Sequence, residues 1–599
     1  MQRHHQQLVD SEVKSSTAVM KPSLLSEHVR TSSSTRNDYI DNIQACIDVG
    51  EKLKSLLGPK ALENLIVDRE SGEIIITNDG ATAIEYMKFN NPLAQLFIEL
   101  SQSVDDQIGD GTTSVVVLAS SMLEQSLKLI REGVHPMKIV KYYSIFNDII
   151  EKHLTEYQAL KLELNNESSK SYITQLVKTT LNSKFSSTSI PNLSHIAVDS
   201  MYITKGERRF IKIIKSGKAE NSITFRGSST NETKIISNEI IVNTNFIHEN
   251  MKENVNLKNQ KLALVLFELD KPKAHKSRLD DINSIDNSQI DRLIKEEESY
   301  IKKIVVQLKK LGVGLICVQE NLSAGFHAGV SDTAKFWLQK SKINCMIPIS
   351  KDEMNLIADA FQLHAISSID QLSNLVESGT TEEKGKFVQS IEYVKHLSIG
   401  RQSFISFGQT AEQYQNYPCA TIVLSAPTQV AVDEVERALH DALRVVEVCF
   451  KHPSLVPGGG ACEMSLSAYI HCNFLNSTTN SNKCSPLEKL IMASFSNAIE
   501  EVPHILSQGC QNHVPSALLN ELRHIYTESI YHNQPSPNVG IYLSNQQEET
   551  LHPIQDMKER KVFELLHSKI SQMKMALQTV QRILKIRKVF ISTPPTTNK

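Results

Sequence analysis

The stretch Gln107-Ile108-Gly109-Asp110-Gly111-Thr112-Thr113-Ser114-Val115-Val116-Val117-Leu118 constrains this chain most, because a small-residue turn runs directly into an apolar helix. Two glycines around Asp110 let the backbone pass close to a bulky anion and leave the carboxylate available to meet a cation. Thr112 and Thr113 stand where the helix begins, and the N–H groups of a helix N-terminus attract phosphate oxygens. A carboxylate among anions calls for a metal between them, most simply Mg²⁺ held by one or two carboxylates together with nucleotide oxygens. Taken alone, an ordinary capped helix start has the same appearance.

A second turn of this kind narrows the reading. Residues 65–68 and 74–77 are two short β-rich runs that predict a hairpin, and the second ends in Asn78-Asp79-Gly80-Ala81-Thr82. Two Asp-Gly turns, each preceding a helix, can converge on one triphosphate; two unrelated turns are the alternative.

At 599 residues the chain exceeds one core, so about two to four domains are expected. Its 40% apolar and 22% charged residues describe a soluble globular protein, and a net charge of −3 gives no general attraction to nucleic acid or anionic membrane. No apolar run approaches the ~18 residues of a membrane helix, and the N-terminus lacks the apolar core of a signal peptide, which points to the cytosol. The nine cysteines are scattered without C-x-x-C spacing, so reduced, mostly buried thiols are expected and zinc is not.

Along the chain, residues 1–36 read as a flexible arm, and from Asp38 apolar residues recur at helical spacing, with Gly50 in the one gap, until Gly58-Pro59. Helices are predicted over 92–107, 112–131 and 137–156, and a polar turn from Lys178 to Lys184 follows an apolar helix. Residues 199–247 alternate as strands do. Runs at 261–267 and 314–318 read as buried strands with an amphipathic helix, 288–311, between them; a weakly ordered polar segment, 271–287, precedes it. These signals outline an α/β domain over 223–385, after which the chain returns to helix.

The helix 430–450 carries His440-Asp441 and leads to Pro457-Gly458-Gly459-Gly460, with a further helix from Ala461. Three consecutive glycines allow close approach of a ligand, or form a loose linker. A low-complexity surface loop (471–485), helices over 486–511, a turn at 537–541 and a last amphipathic helix (567–586) complete the chain; its basic end reads as a solvated face.

Neither a G-x-x-x-x-G-K-[ST] loop nor a G-x-G-x-x-G turn occurs. In order, the chain has Gly58-Pro59, Asn78-Asp79-Gly80-Ala81-Thr82, Gly109-Asp110-Gly111-Thr112-Thr113, Leu439-His440-Asp441-Ala442-Leu443, Gly458-Gly459-Gly460-Ala461 and Val539-Gly540-Ile541. This series resembles the group II chaperonins, and within them the subunits of the eukaryotic cytosolic chaperonin. Residues 98–139, 267–286 and 309–319 look most like the epsilon subunit.

The resemblance implies a multidomain chaperonin fold. A mostly helical equatorial ATPase domain would comprise 37–156 and 451–599, an α/β intermediate hinge domain 157–222 and 386–450, and an α/β apical substrate-binding domain 223–385, whose segment near 271–287 belongs to a helical protrusion serving as a lid. It further implies an ATP-dependent chaperone of the cytoplasm, joined to sister subunits in a double ring that encloses unfolded client proteins, with no nucleic-acid or membrane partner. Asp110 would hold Mg²⁺. Gly111, Thr112 and Thr113, with Ser114 beside them, would bind the β- and γ-phosphates of ATP. Gly58 and Pro59 would border the nucleotide, Gly459 and Gly460 would approach its ribose or base, and Gly540 would line the same pocket. Asp79, followed by Gly80, would act near the γ-phosphate, Asp441 would orient the attacking water, and Lys184 would sense the γ-phosphate.

Departures from the family pattern are Ala61 in place of a glycine, Glu63-Asn64 in place of an acidic-basic pair, Ser425-Ala426-Pro427 in place of a Gly-Gly turn, an apical Met346-Ile347-Pro348-Ile349 without basic residues, and Phe361-Gln362-Leu363-His364 in place of a Thr-Gly turn. Two further readings stand beside the working ATPase: a chaperonin-like binding or assembly module without turnover, and a metabolic kinase. Asp79, Asp110 and Asp441 together favour the ATPase over the module. The kinase lacks an identifiable catalytic base and leaves the α/β insert without a role.

Overall fold

The structure, a computed structural model, describes residues 29–31, 36–62, 64–67, 74–77, 79–87, 89, 91–157, 160–164, 166–182, 190–216, 223–225, 228–230, 233–237, 239–246, 256–270, 287–319, 330–399, 402–425, 429–475, 485–510, 513–532, 534–543, 552–587 and 589–592. Lys184, Asn78, Glu63, Ala426, Pro427, Cys484 and the segment 271–286 read as protrusion lie outside these. Two compact units divide the chain: one is built from its two ends, up to Lys161 and from Ser454, and the other from Leu162–Pro453.

In the first unit the helical periodicities become the helices Arg36–Leu53, Gln95–Gln107, Thr112–Arg131, Pro136–Glu156, Pro486–Ile499 and Leu566–Lys585. Their apolar faces share one core that joins the two ends of the chain. Phe146 from the first end stacks on Phe495 from the second, with ring centroids 3.7 Å apart. Gly50 breaks its helix's apolar pattern for a packing reason. A Cβ there would stand 2.0 Å from Ser120 Oγ, so the glycine is where Arg36–Leu53 approaches Thr112–Arg131. The expected hairpin is Asn64–Val67 paired antiparallel with Ile74–Thr77.

The helices expected over 486–511 are Pro486–Ile499 and Glu501–Gln508. Pro503 explains the break between them, because a proline lacks an N–H and its ring clashes with the carbonyl four residues back, here Ile499. The turn at 537–541 is instead a strand, Val539–Ile541, paired with Ile554–Asp556. Within the segment read as a flexible arm, Val29–Thr31 pairs antiparallel with Phe590–Ser592. The loop expected from 471 begins later, since His471–Leu475 continues as a wider helical turn.

The second unit has a seven-stranded sheet. Asn256–Val265, Leu315–Gln319 and Asn344–Ile349 are parallel neighbours, and Asn287–Lys310 is the helix of the first crossover. Alternate residues face opposite ways. Leu262 and Leu264 enter one core, while Ala263 and Val265 enter another with Ile301, Ile304 and Leu308 of the helix. This two-sided burial is why the strand reads as a continuous apolar run.

The return to helix expected after 385 is delayed, because Gln389–Ile399 and Gln402–Gly408 first extend this sheet antiparallel; the short helix Ala411–Asn416 then precedes the long Gln429–Lys451. A second sheet places Ala420–Ser425 between Ile211–Ser216 and Lys234–Ser237. Residues 199–203, read as the start of strand alternation, instead end the helix Ile190–Ile203, whose Leu193, Ala197 and Met201 are buried at four-residue spacing.

The eight described cysteines are free thiols, seven of them buried. Among the described residues no helix is long and apolar enough to cross a membrane.

Candidate nucleotide site

The turn before Thr112–Arg131 needs its glycines: Gly109 (φ 78°) and Gly111 (φ 81°) are both left-handed, a conformation that costs other residues about 1–2 kcal/mol. Gly111 is the N-cap and has no side chain with which to accept the first-turn N–H groups, the donors that attract anions at a helix start. The Asp110 side chain is exposed, and its Oδ1 accepts from the Gly111 N–H at 2.7 Å.

The second Asp-Gly turn lies against the first. Asp79 caps Gly80–Tyr86: its Oδ2 accepts from the Thr82 N–H at 3.0 Å and from the Thr82 hydroxyl at 2.8 Å, and Thr77 Oγ1 accepts from the Asp79 N–H at 3.0 Å. A Cβ on Gly80 would stand 2.2 Å from Thr113 Oγ1 and 3.0 Å from Thr113 Cα. The turns that carry Asp79 and Asp110 are therefore in direct contact.

Two further glycine segments are held by one short helix. Gly58 (φ 101°) starts the Gly58-Pro59-Lys60-Ala61 turn, closed by the Ala61 N–H donating to the Gly58 carbonyl at 3.2 Å. Leu506 of Glu501–Gln508 reaches within 3.0 Å of where a Gly58 Cβ would be, and Lys54 pairs with Glu501 at 2.8 Å. On the same helix Pro503 leaves 2.9 Å for a Cβ at Gly460. Gly459 (φ 66°) and Gly460 (φ 79°) begin Ala461–Ile470, and the Ile541 N–H donates to the Gly459 carbonyl at 2.9 Å. A Cβ on Gly540 would stand 2.8 Å from that carbonyl. The Gly458-Gly459-Gly460 turn and Gly540 thus need small residues for the chain's own packing.

Sequence reasoning missed the polar groups beneath these turns. Lys569 is buried, and its Nζ donates to Glu463 Oε1 at 2.9 Å and also bonds Glu564. Burial alone would lower the Lys569 ammonium, but Glu463 and Glu564 hold it well above its ordinary value. Burial pushes the Glu564 carboxyl up, as does repulsion from Glu463 and Asp110, while Lys569 pulls it down. Glu564 Oε1 lies 3.2 Å from where a Gly458 Cβ would be, so this carboxylate packs against the glycine turn. The buried Gln572 amide donates to the Asp110 carbonyl at 3.0 Å. A faint sequence signal existed: Lys569 and Gln572 lie with Leu566 and Met573 on the apolar stripe of the last helix, where a charge needs a partner.

The donor set suits Mg²⁺ bound jointly with phosphate. Among the described residues no three or more His, Cys, Asp or Glu side chains gather as a self-sufficient metal cage. One exposed carboxylate beside a helix start is what a cation shared with nucleotide oxygens requires. Asp441 stands half-buried on Gln429–Lys451 in the second unit, and Lys184 lies outside the described residues.

A family model described as the TCP-1/cpn60 chaperonin family matches residues 49–594. The chain belongs to this family. Similar relatives include bovine T-complex protein 1 subunit delta, 28% identical over 91% of this chain and 92% of the relative. The human delta subunit is 28% identical with the same coverage. Thermosome subunit alpha of Sulfolobus acidocaldarius is 27% identical over 94% of each chain. The multidomain chaperonin fold therefore spans nearly the whole sequence, with a family-level likeness shared by eukaryotic and archaeal relatives.

Proposed function

We propose that this chain is an ATP-hydrolysing subunit of a cytosolic, hetero-oligomeric double-ring chaperonin that encloses and folds non-native proteins. The observation that carries this reading is the seating of Gly80 on Thr113, which brings two Asp-Gly helix starts together. In this reading Asp110 holds Mg²⁺, and Gly111, Thr112, Thr113 and Ser114 receive the β- and γ-phosphates. Gly58 and Pro59 border the nucleotide, with Gly459, Gly460 and Gly540 on its other side. Asp79, while capping its helix, keeps a carboxylate near the terminal phosphate.

Phosphoryl transfer needs alignment and charge neutralisation above all, which amide dipoles, a bound cation and one water-directing carboxylate supply. That carboxylate is Asp441, with Lys184 as the γ-phosphate sensor. Because Asp441 belongs to the second unit, turnover would be tied to domain movement.

The unit built from both chain ends supports an equatorial ATPase domain over 37–156 and 451–599; the second unit, with its two sheets, would hold the hinge (157–222, 386–450) and the apical domain (223–385). Sister subunits fit a closed ring. The likeness to T-complex protein 1 delta subunits over 91% of the chain supports a eukaryotic ring as the setting.

Native mass measurement of the complex from its own cells, with ATPase assay, tests the proposal. A megadalton-scale ring of sister subunits that hydrolyses ATP is expected. A free monomer would overturn it, and a ring in which this subunit binds ATP without turnover would replace it with the binding-module reading.

A further inference from the structure

Gln572 has no counterpart among the nucleotide-binding motifs, yet its amide sits directly under the phosphate turn. It lies in the second turn of Leu566–Lys585, is 8% exposed, and donates from Nε2 to the Asp110 carbonyl at 3.0 Å. It also covers Gly111, where a Cβ would stand 2.0 Å from Nε2 and 2.5 Å from Cδ. The peptide joining Asp110 to Gly111 is therefore held on both sides: its carbonyl by Gln572, and its N–H by Asp110 Oδ1 at 2.7 Å. One turn back on the same helix, Lys569 is fixed by Glu463 at 2.9 Å and by Glu564, so the amide stands on an anchored support.

We infer that Gln572 is a positioning residue for ATP binding: it sets the orientation of the Asp110–Gly111 peptide, and so aims both the Asp110 carboxylate and the first-turn N–H groups of the helix that Gly111 caps. The inference rests on the nucleotide reading of this turn. Orientation matters here because the carboxylate and the helix start act on adjacent parts of one ligand, a cation and the phosphate it neutralises, and a rotated peptide can satisfy only one of them. Groups that hold a metal ligand in place are commonly worth 10- to 100-fold in metal affinity.

Hydrogen exchange and Mg-ATP titration on the full chain test this. In Gln572→Leu, which keeps the bulk and loses the donor, amide exchange over residues 108–114 without nucleotide is expected to rise about fivefold, the effect of one lost hydrogen bond. The Mg-ATP dissociation constant is expected to rise about 10-fold, while the thermal midpoint moves by only about 3 °C. Gln572→Glu, which keeps the length and sets an acceptor against the carbonyl, is expected to do the same and covers a failure of the first variant to fold.

Unchanged exchange and unchanged affinity in either folded variant would overturn the inference while leaving the nucleotide site intact. An unsubstituted chain that binds no Mg-ATP would overturn the nucleotide reading and the positioning role with it. Faster exchange with unchanged affinity would reduce Gln572 to a packing residue and overturn the proposal.

Discussion

Gly80 lies so close to Thr113 that a Cβ on residue 80 would stand 2.2 Å from the Thr113 hydroxyl oxygen and 3.0 Å from its Cα. The hydroxyl can rotate away, but the backbone carbon cannot, so Gly80→Ala must push the two helix starts apart. The expected destabilisation is about 1–3 kcal/mol, as for other overpacked sites. Because a displacement of ~1 Å at a reacting centre can cost about 100-fold, Mg-ATP binding and turnover should suffer far more than folding. Calorimetric titration alongside circular dichroism checks this; normal affinity in the folded variant would break the link between the two turns.

Asp110→Ala separates metal from phosphate. Loss of the carboxylate should weaken Mg-ATP by about 100-fold, the equivalent of ~3 kcal/mol, while binding of ATP in excess EDTA changes little. Equal affinities with and without magnesium in the unsubstituted chain would count against a metal at Asp110.

Asp441→Ala should leave ATP binding near its normal strength and lower hydrolysis by about 10²- to 10⁴-fold, the range expected for loss of a proton-accepting or water-directing group. Single-turnover measurement on assembled rings is the test, since a slow release step can mask chemistry. Hydrolysis at the normal rate would remove Asp441 from the mechanism.

What could be read without coordinates was local. The hairpin, the long helices and the left-handed glycines at 109, 111, 459 and 460 follow from periodicity or from backbone demands that a few neighbouring residues impose. What could not be read depends on partners far along the chain. Gln572 reaches a carbonyl 462 residues away, Lys569 a carboxylate 106 residues away, and the strand Val29–Thr31 pairs with Phe590–Ser592. The packing demand on Gly540 was likewise out of reach: a Cβ there would stand 2.8 Å from the Gly459 carbonyl and 2.9 Å from that of Gly458, some eighty residues back. The return to helix after 385 failed for a similar reason: Gln389–Ile399 is a strand because Asn256–Val265, far upstream, offers it an edge.

The core that joins the two chain ends should be sensitive to mild acid through His153. The ring is buried between Tyr157 and Tyr469, with Nε2 2.9 Å from Ser465 Oγ, and burial pulls its pKa down to about 4. An unfolded histidine titrates near ~6.5, so below that pH the unfolded chain takes up a proton that the folded chain refuses until about pH 4. The stability this neutral ring contributes is therefore complete above about pH 6.5 and is lost as pH falls. The linkage amounts to roughly 2 kcal/mol between about pH 7 and about pH 5. Urea unfolding of the full chain at these two pH values measures it, with His153→Gln as the comparison, because the carboxylates titrate in both proteins and cancel. The loss of stability on acidification should be smaller in His153→Gln by about that amount; equal losses would mean that His153 is protonated in the folded core.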